Sequence, residues 1–218
     1  MSAVAPSMKG HGRRNVRIVI EVVLLVILLV AMAMSTKLVK IGSDSDTQTK
    51  EFEPAAYGKK QFPKTQAAIE KRAVDAATLA EAIARDQDAA GKQYGVAGGG
   101  VGPEMSVKFT GVAGKEDSGV YEVKVTGLPD SLVIRVQTGP AINGTDLRDD
   151  TGDISFGQFT NQIDYQNAGY ALNAEMKKEV LSKIDTTNLT GKTISVVGVF
   201  QLVNPNGWLV TPVKLDVK

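Results

Sequence analysis

The sequence predicts an α+β protein with an N-terminal transmembrane helix, a short helical segment and a five-stranded β-barrel that contains one helix. Three observations support this prediction. Residues 18–34 form an almost unbroken apolar run, residues 63–95 carry apolar side chains at helical spacing, and five later segments alternate apolar and polar residues. We therefore expect a membrane anchor followed by a folded domain.

The apolar run IVIEVVLLVILLVAMAM is close to the length of about 20 residues that crosses a bilayer. Val16 extends it at one end, and Leu38 and Val39 extend it at the other. Its single charge, Glu21, lies one helical turn after Arg17, so the two side chains can pair near the interface. We expect a transmembrane helix over residues 18–36.

Charge flanking the run predicts its orientation. Four basic residues and no acid precede it: Lys9, Arg13, Arg14 and Arg17. Positive flanks stay in the cytoplasm, so residues 1–17 form a cytoplasmic flank of a single-pass inner-membrane protein, and the remainder is periplasmic. A cleaved signal ending at Ala31-Met32-Ala33 is the alternative. The apolar run continues into Met34, which favours the uncleaved anchor. With either an anchor or a cleaved signal, the domain that follows is exported.

Composition excludes several kinds of chemistry. The chain has no cysteine, and its one histidine, His11, lies in the cytoplasmic flank. The exported part therefore has no thiol nucleophile, no histidine relay and no histidine ligand for zinc. It carries a net charge of −2 and lacks the basic stripe that nucleic acid requires. We expect no cofactor, no metal and no nucleic-acid partner.

The exported part divides into four segments. Residues 37–62 are polar and predict a periplasmic tether, and residues 63–95 predict a helical segment with either one helix or two broken near Asp75. Residues 96–103 form a Gly-rich linker. That linker follows helices and precedes a strand, whereas phosphate-binding loops follow a strand and open a helix, so we expect no nucleotide.

Residues 104–218 predict the barrel. Strands are expected at 106–112, 120–126, 132–137, 193–203 and 208–217, with a helix at 163–184 between the third and the fourth. Five strands with a helix in that place is the element order of the OB-fold, a small, partly open Greek-key barrel. An open antiparallel sheet covered by one helix is the alternative.

Two segments of this region, GPAINGTDLR at 139–148 and ISFGQFTNQIDY at 154–165, resemble the bacterial domain-of-unknown-function family 2291, described as predicted periplasmic lipoproteins. Further resemblance lies at 37–41, 72–75, 91–95 and 210–213. Members of that family are often encoded beside sugar-uptake ABC transporter components, so the resemblance implies a partnership with the permease or the binding protein. Where the family has a lipidated cysteine, this chain has Ser35-Thr36, which favours the uncleaved helix.

Polar residues near these two segments are the candidate ligand or partner surface: Asn143, Asp146, Arg148, Asn161, Gln162 and Trp208. The residues between 143 and 148 can instead stabilise turns, and the side-chain amides of Asn161 and Gln162 can form structural hydrogen bonds to the 139–144 loop. We expect Phe156 and Phe159 to pack beneath the amides. Trp208 follows an Asn-Gly turn, where its indole can stack on a sugar or pack over the end of the barrel.

The sequence thus predicts a non-enzymatic periplasmic accessory protein of a sugar ABC uptake system. An enzyme that uses carboxylates on glycans is one alternative, with its pair drawn from Asp146, Asp149, Asp150 and Asp153. An envelope assembly factor with no small ligand is the other. No catalytic residue is predicted.

Overall fold

A computed structural model describes residues 11–35, 51–98 and 101–218 of the chain. It contains two compact units, Met1–Lys50 and Glu51–Lys218. In the first unit, helix α1 spans His11–Ser35, and its Ile18–Ser35 portion, with a mean hydropathy of 2.9, is long and apolar enough to cross a membrane. The apolar helix is thus confirmed. The expectations for residues 1–10 and 36–50 lie outside the described residues.

The second unit begins with three helices and two short strands. Helix α2 spans Pro54–Arg72, α3 spans Ala76–Arg85 and α4 spans Gln87–Tyr94. Strand β1, Val74–Asp75, precedes α3, and strand β2, Gly95–Val96, follows α4. The Asp75 carboxylate accepts a hydrogen bond from the Ala77 backbone N–H, so of the two possibilities the structure has a helical break at Asp75.

Helix α2 begins nine residues before the predicted start at Pro63, so the predicted tether over 37–62 is too long. Pro54 occupies the first turn of the helix, where no backbone N–H is needed. Pro63 lies inside the helix on its exposed face, where water can solvate the carbonyl that loses its partner. Gly58 faces α6, and a Cβ atom there would lie 2.5 Å from the carbonyl oxygen of Ala171.

Five longer strands form the barrel. They are β3 at Glu104–Asp117, β4 at Val120–Lys124, β5 at Val133–Gln137, β6 at Thr193–Gln201 and β7 at Gly207–Val217. Between β5 and β6 lie a short helix α5, Asp146–Asp149, and the long helix α6, Gln162–Glu179. Sequence analysis did not predict β1, β2 or α5, because each is too short to show a period.

Strand pairing follows the order β3-β4-β5-β7-β6, with β5 and β7 parallel and the other pairs antiparallel. Strand β3 also pairs with β6 through Glu104–Val112, while its pairs with β4 lie between Val112 and Asp117. The two ladders of β3 therefore share only Val112, so different parts of this long strand pair with β4 and with β6. The predicted OB-like fold class is confirmed.

The core lies inside this barrel and beneath α6. Met105, Val107 and Phe109 alternate along the inner face of β3, with Leu172 and Met176 of α6 also fully buried. The opposite face of β3 carries Glu104 and Ser106, which are buried as well. That second buried face leads to the polar residues described next.

Candidate functional site

Six ionisable side chains form a buried charge network around α5. They come from α2, β3, α5 and the residue that follows α5: Arg72, Glu104, Asp146, Arg148, Asp149 and Asp150. Ordinary surface turns expose such residues, yet Glu104, Arg148, Asp149 and Asp150 are at most 7% exposed. Buried charge of this density needs a partner for each group.

Arg148 and Asp149 pair through two hydrogen bonds. Arg148 Nε donates to Asp149 Oδ1 at 2.7 Å, and Nη2 donates to Oδ2 at 3.0 Å. The Thr145 hydroxyl donates to the same carboxylate at 2.7 Å. Arg148 also donates to the backbone carbonyl of Tyr165 at 3.1 Å, and its guanidinium lies 3.7 Å from the centre of the Tyr165 ring. The pair therefore fixes the start of α6 against α5.

Asp150 joins α2 to the barrel. Its carboxylate accepts hydrogen bonds from Arg72 and, at 3.0 Å, from the Ser106 hydroxyl. Burial raises the pKa of Asp150, although Arg72 and the Ser106 hydroxyl act in the opposite direction. Burial also raises the pKa of Asp146, whose carboxylate accepts a hydrogen bond from the Thr211 hydroxyl at 3.0 Å.

Glu104 is the least satisfied member of the network. It is 1% exposed; its Oε1 accepts a hydrogen bond from Gln201 at 3.0 Å, and its Oε2 is buried without a partner among the described residues. Burial is the main cause that raises its pKa to about 8, and the nearby Asp146 carboxylate adds to the effect. Glu104 is thus largely protonated at neutral pH.

Gly98 packs closely against Glu104. A Cβ atom at Gly98 would lie 3.0 Å from Glu104 Cγ and 3.3 Å from Asp149 Cβ, so a larger residue would need these side chains to shift. Gly98 also lines a cleft of about 660 Å³ beside α4, together with Gly91, Lys92 and Leu202. Among the described residues, no group of three acidic or histidine side chains is placed to share a metal ion.

Five aromatic rings form a second feature, which we call the aromatic surface: Phe52, Tyr57, Phe156, Phe159 and Tyr165. Phe159 contacts Phe52 and Tyr165 with ring centres 5.5 Å apart in each case. Phe156 meets the Tyr165 ring edge to face at 5.8 Å and is 49% exposed. Since Tyr165 lies on Arg148, the buried charge network supports one edge of this surface.

Comparison with known proteins identifies the family. The family model described as "Predicted periplasmic lipoprotein (DUF2291)" matches residues 24–216. The chain belongs to this family. Members are predicted to face the periplasm, and together with the apolar helix this makes the protein periplasm-facing and membrane-associated. No curated protein matches the chain.

A solved structure supports the fold. An OB-fold protein from Thermotoga maritima is similar with a TM-score of 0.63 and 19% sequence identity. The match covers 78% of this chain and 100% of that chain. At this identity the similarity supports the OB-like fold of this chain and assigns no function to it.

Two of the predicted surface residues are buried in the structure. Trp208 is 0% exposed, stacks on Phe200 with ring centres 4.5 Å apart, and donates from Nε1 to the Pro205 carbonyl at 3.1 Å. Its position on the surface was predicted wrongly, because β7 begins at Gly207 and turns the indole into the core. The predicted surface position of Arg148 is also wrong, because the residue is 6% exposed and forms an ion pair with Asp149.

The other predicted site residues lie in different environments. Asn143 is exposed, and Asp146 is half-buried against Thr211. Asn161 is exposed and caps α6, because its side chain accepts a hydrogen bond from the Asp164 backbone N–H at 2.9 Å. Gln162 is exposed in the first turn of that helix. Asn161 and Gln162 therefore stay together beside Phe159, whereas Asp146 belongs to the buried charge network.

The aromatic residues also differ from their predicted positions. Phe156 does not pack beneath the amides, since it is half exposed, and Phe159 is only half-buried. Phe52 and Tyr57, which fell within the predicted tether, were not predicted as site residues, and neither were Arg72 and Glu104. Two polar strand positions, Glu104 and Ser106, alternate with apolar ones just after a Gly-rich run, and this alternation was the available signal for a second buried face.

Proposed function

We propose that this family member is a membrane-anchored, non-enzymatic accessory protein that captures a component of a sugar ABC uptake system on its aromatic surface. In this proposal α1 is a single-pass anchor with its N-terminus in the cytoplasm. The resemblance to the family's sequence segments supports the transporter partner, either the permease or the binding protein. The aromatic surface supports capture.

The observation that carries this proposal is the exposure of Phe156 at the edge of a cluster of partly buried aromatic rings. Phe156 is 49% exposed, and Ile163, in the first turn of α6, is 67% exposed. Aromatic side chains are enriched where interfaces gain most of their binding energy, and the exposed amides of Asn161 and Gln162 supply a polar rim. The 660 Å³ cleft lies elsewhere, since none of its lining residues belongs to the aromatic surface. A protein partner therefore fits this surface better than an enclosed sugar.

The carboxylates argue against the enzymatic alternative. Asp149 pairs with Arg148 and Asp150 pairs with Arg72, so both are neutralised by partners rather than facing a substrate. Glu104 has the raised pKa expected of a general acid, but it is only 1% exposed and does not face a substrate. A glycosidase needs two opposed carboxyl groups that both reach its substrate.

Site-specific photo-crosslinking tests the proposal in native membranes. A photoreactive amino acid replaces Phe156 in the tagged full-length chain, and the crosslinked protein is identified by mass spectrometry. The matched control places the same group at Leu209, which is 40% exposed on β7, outside the aromatic surface. We expect the permease or binding protein of a sugar transporter at position 156 and not at position 209.

Other outcomes contradict specific parts of the proposal. Crosslinking of position 156 to an envelope assembly component instead would refute the transport role and favour the assembly alternative. Equal products at 156 and 209 would refute the aromatic surface as the site. Release of the chain by alkaline washing of membranes would refute the anchor.

A further inference from the structure

We infer that the exposed face of α2 lies on the anionic headgroups of the membrane in which the chain is anchored. This inference rests on the proposed anchor and adds a second, electrostatic contact between the folded unit and the lipid surface. It assigns a role to the basic side chains of α2 that neither the aromatic surface nor the buried charge network uses.

The two sides of α2 differ in chemistry. One side carries the buried residues Gly58, Phe62, Thr65 and Ile69. The exposed side carries four lysines, Lys59, Lys60, Lys64 and Lys71. The spacing of 3.6 residues per turn places Lys60, Lys64 and Lys71 along one line of the helix, and Glu70 is the only acid in the helix.

This basic face contrasts with the rest of the folded unit. Residues 51–218 contain 18 basic and 21 acidic side chains, a net charge of −3. None of the four α2 lysines makes an ion pair with another described residue. Their positive charge is therefore available to an external anion, and a surface of anionic lipid headgroups attracts such lysines.

The position of α2 in the chain favours the membrane as that anionic surface. Helix α2 is the first element described after α1, and its first residue is Pro54. Residues 36–50, which lie outside the described residues, comprise 15 residues and can span at most about 50 Å. A linker of this length is long enough to let the basic face reach a membrane that holds α1.

Small side chains between the lysines allow close approach without insertion. Ala56, Pro63 and Ala67 are exposed on this face, and it carries no large apolar side chain that would enter the hydrocarbon layer. The contact is therefore superficial and electrostatic. It should weaken at about 1 M salt, where charges are screened beyond about 3 Å.

The absence of cysteine allows a direct test with a single fluorescent label on the full-length chain. The label is attached to Ala67→Cys on the basic face or, as a control, to Ser131→Cys in an exposed turn. Each labelled chain is placed in nanodiscs that contain headgroup-labelled quencher lipid, either with phosphatidylglycerol or with phosphatidylcholine alone. Size-exclusion chromatography first establishes that the chain remains with the nanodisc at high salt.

In phosphatidylglycerol we expect quenching at position 67 to exceed that at position 131 by about threefold, and salt to remove the difference. Lys60→Gln with Lys64→Gln should abolish it, whereas Lys108→Gln with Lys214→Gln, exposed lysines on β3 and β7, should leave it unchanged. Equal quenching at positions 67 and 131, in chains that remain with the nanodisc, would overturn the docking of α2 but not the anchor. Loss of the chain from nanodiscs of both compositions overturns the anchor and, with it, the docking.

Discussion

Protonation of Glu104 should make the stability of the folded unit depend on pH between about pH 4.5 and pH 8. The pKa of Glu104 is about 8 in the folded protein, against an ordinary value of 4.5. Between these values the folded state holds a proton that the unfolded state releases, so the free energy of unfolding falls as the pH rises. The stabilising contribution is complete below about pH 4.5 and is lost as the pH passes through about 8.

The expected loss is about 3 kcal/mol between about pH 5 and pH 8, since each pKa unit corresponds to about 1.4 kcal/mol. Glu104→Gln retains an oxygen that can accept the hydrogen bond from Gln201 and removes the titrating group. The unfolding free energy of this variant should therefore fall less steeply over that range. Burial also raises the pKa of Asp146 and Asp150, and these two groups leave a slope of the same sign. Asp146→Asn should reduce the slope, because the Asp146 carboxylate helps to raise the Glu104 pKa.

The measurement is urea unfolding of the full-length chain in detergent micelles, followed by tryptophan fluorescence. Trp208 is the only tryptophan and is fully buried against Phe200, so its emission reports unfolding of the barrel. His11, the only histidine, lies outside residues 51–218, which removes the usual source of titration near neutral pH. A stability that is flat between pH 5 and pH 8 in the natural chain, or a slope in Glu104→Gln as steep as in the natural chain, would refute the reasoning.

Three further substitutions test the packing, with urea unfolding monitored by circular dichroism. Arg148→Ala should lower the unfolding free energy by about 3–5 kcal/mol because Asp149 is left buried and unpaired, and a loss below about 1 kcal/mol would contradict this. Gly58→Ala should lower the unfolding free energy by about 1–3 kcal/mol because the new methyl group forces α2 away from α6, although alanine has the higher helix propensity. As a control, Gly157→Ala should leave the unfolding free energy nearly unchanged, because a Cβ atom there meets no atom within 4 Å. Trp208→Ala should cost about 3–5 kcal/mol, and a nearly unchanged stability would show that the indole is not in the core.

Regular elements were predictable because their side chains repeat along the chain. The alternation at 106–112 marked β3 correctly, and the continuous apolar run marked α1. The start of α2 was not predicted, since Pro63 is also a common first residue of a helix. Local sequence does not reveal that Gly58 packs against α6, or that Phe62 is buried.

The candidate site was predictable only in part for a related reason. The helical spacing from Ile163 onward correctly placed Asn161 and Gln162 beside the start of a helix, because such spacing is a local signal. Arg148 resembled an exposed turn residue in a segment rich in Asn, Asp and Gly. Its burial depends on Tyr165 and on the packing of α6, and the partner of Asp150 is Arg72, 78 residues away. Such pairs are set by tertiary structure and leave no periodic signal.

The buried charge network connects stability to the exposed aromatic surface. A buried ion pair contributes little net stability relative to apolar packing, but removal of one partner is costly because the other remains desolvated. The Arg148–Asp149 pair holds the Tyr165 ring at 3.7 Å, and that ring supports Phe156 and Phe159. The Arg148–Asp149 pair thus positions the Tyr165 ring and, through it, the two phenylalanine rings of the aromatic surface.

Helix α2 contributes side chains to the aromatic surface, the buried charge network and the basic face. Tyr57 in its first turns belongs to the aromatic surface, Arg72 at its end holds Asp150, and its exposed lysines form the basic face. If that face rests on the membrane, the aromatic surface has a fixed height and direction relative to the lipid. A partner that is itself a membrane protein, such as a permease, would then meet the surface in a single orientation, which lowers the entropic cost of capture.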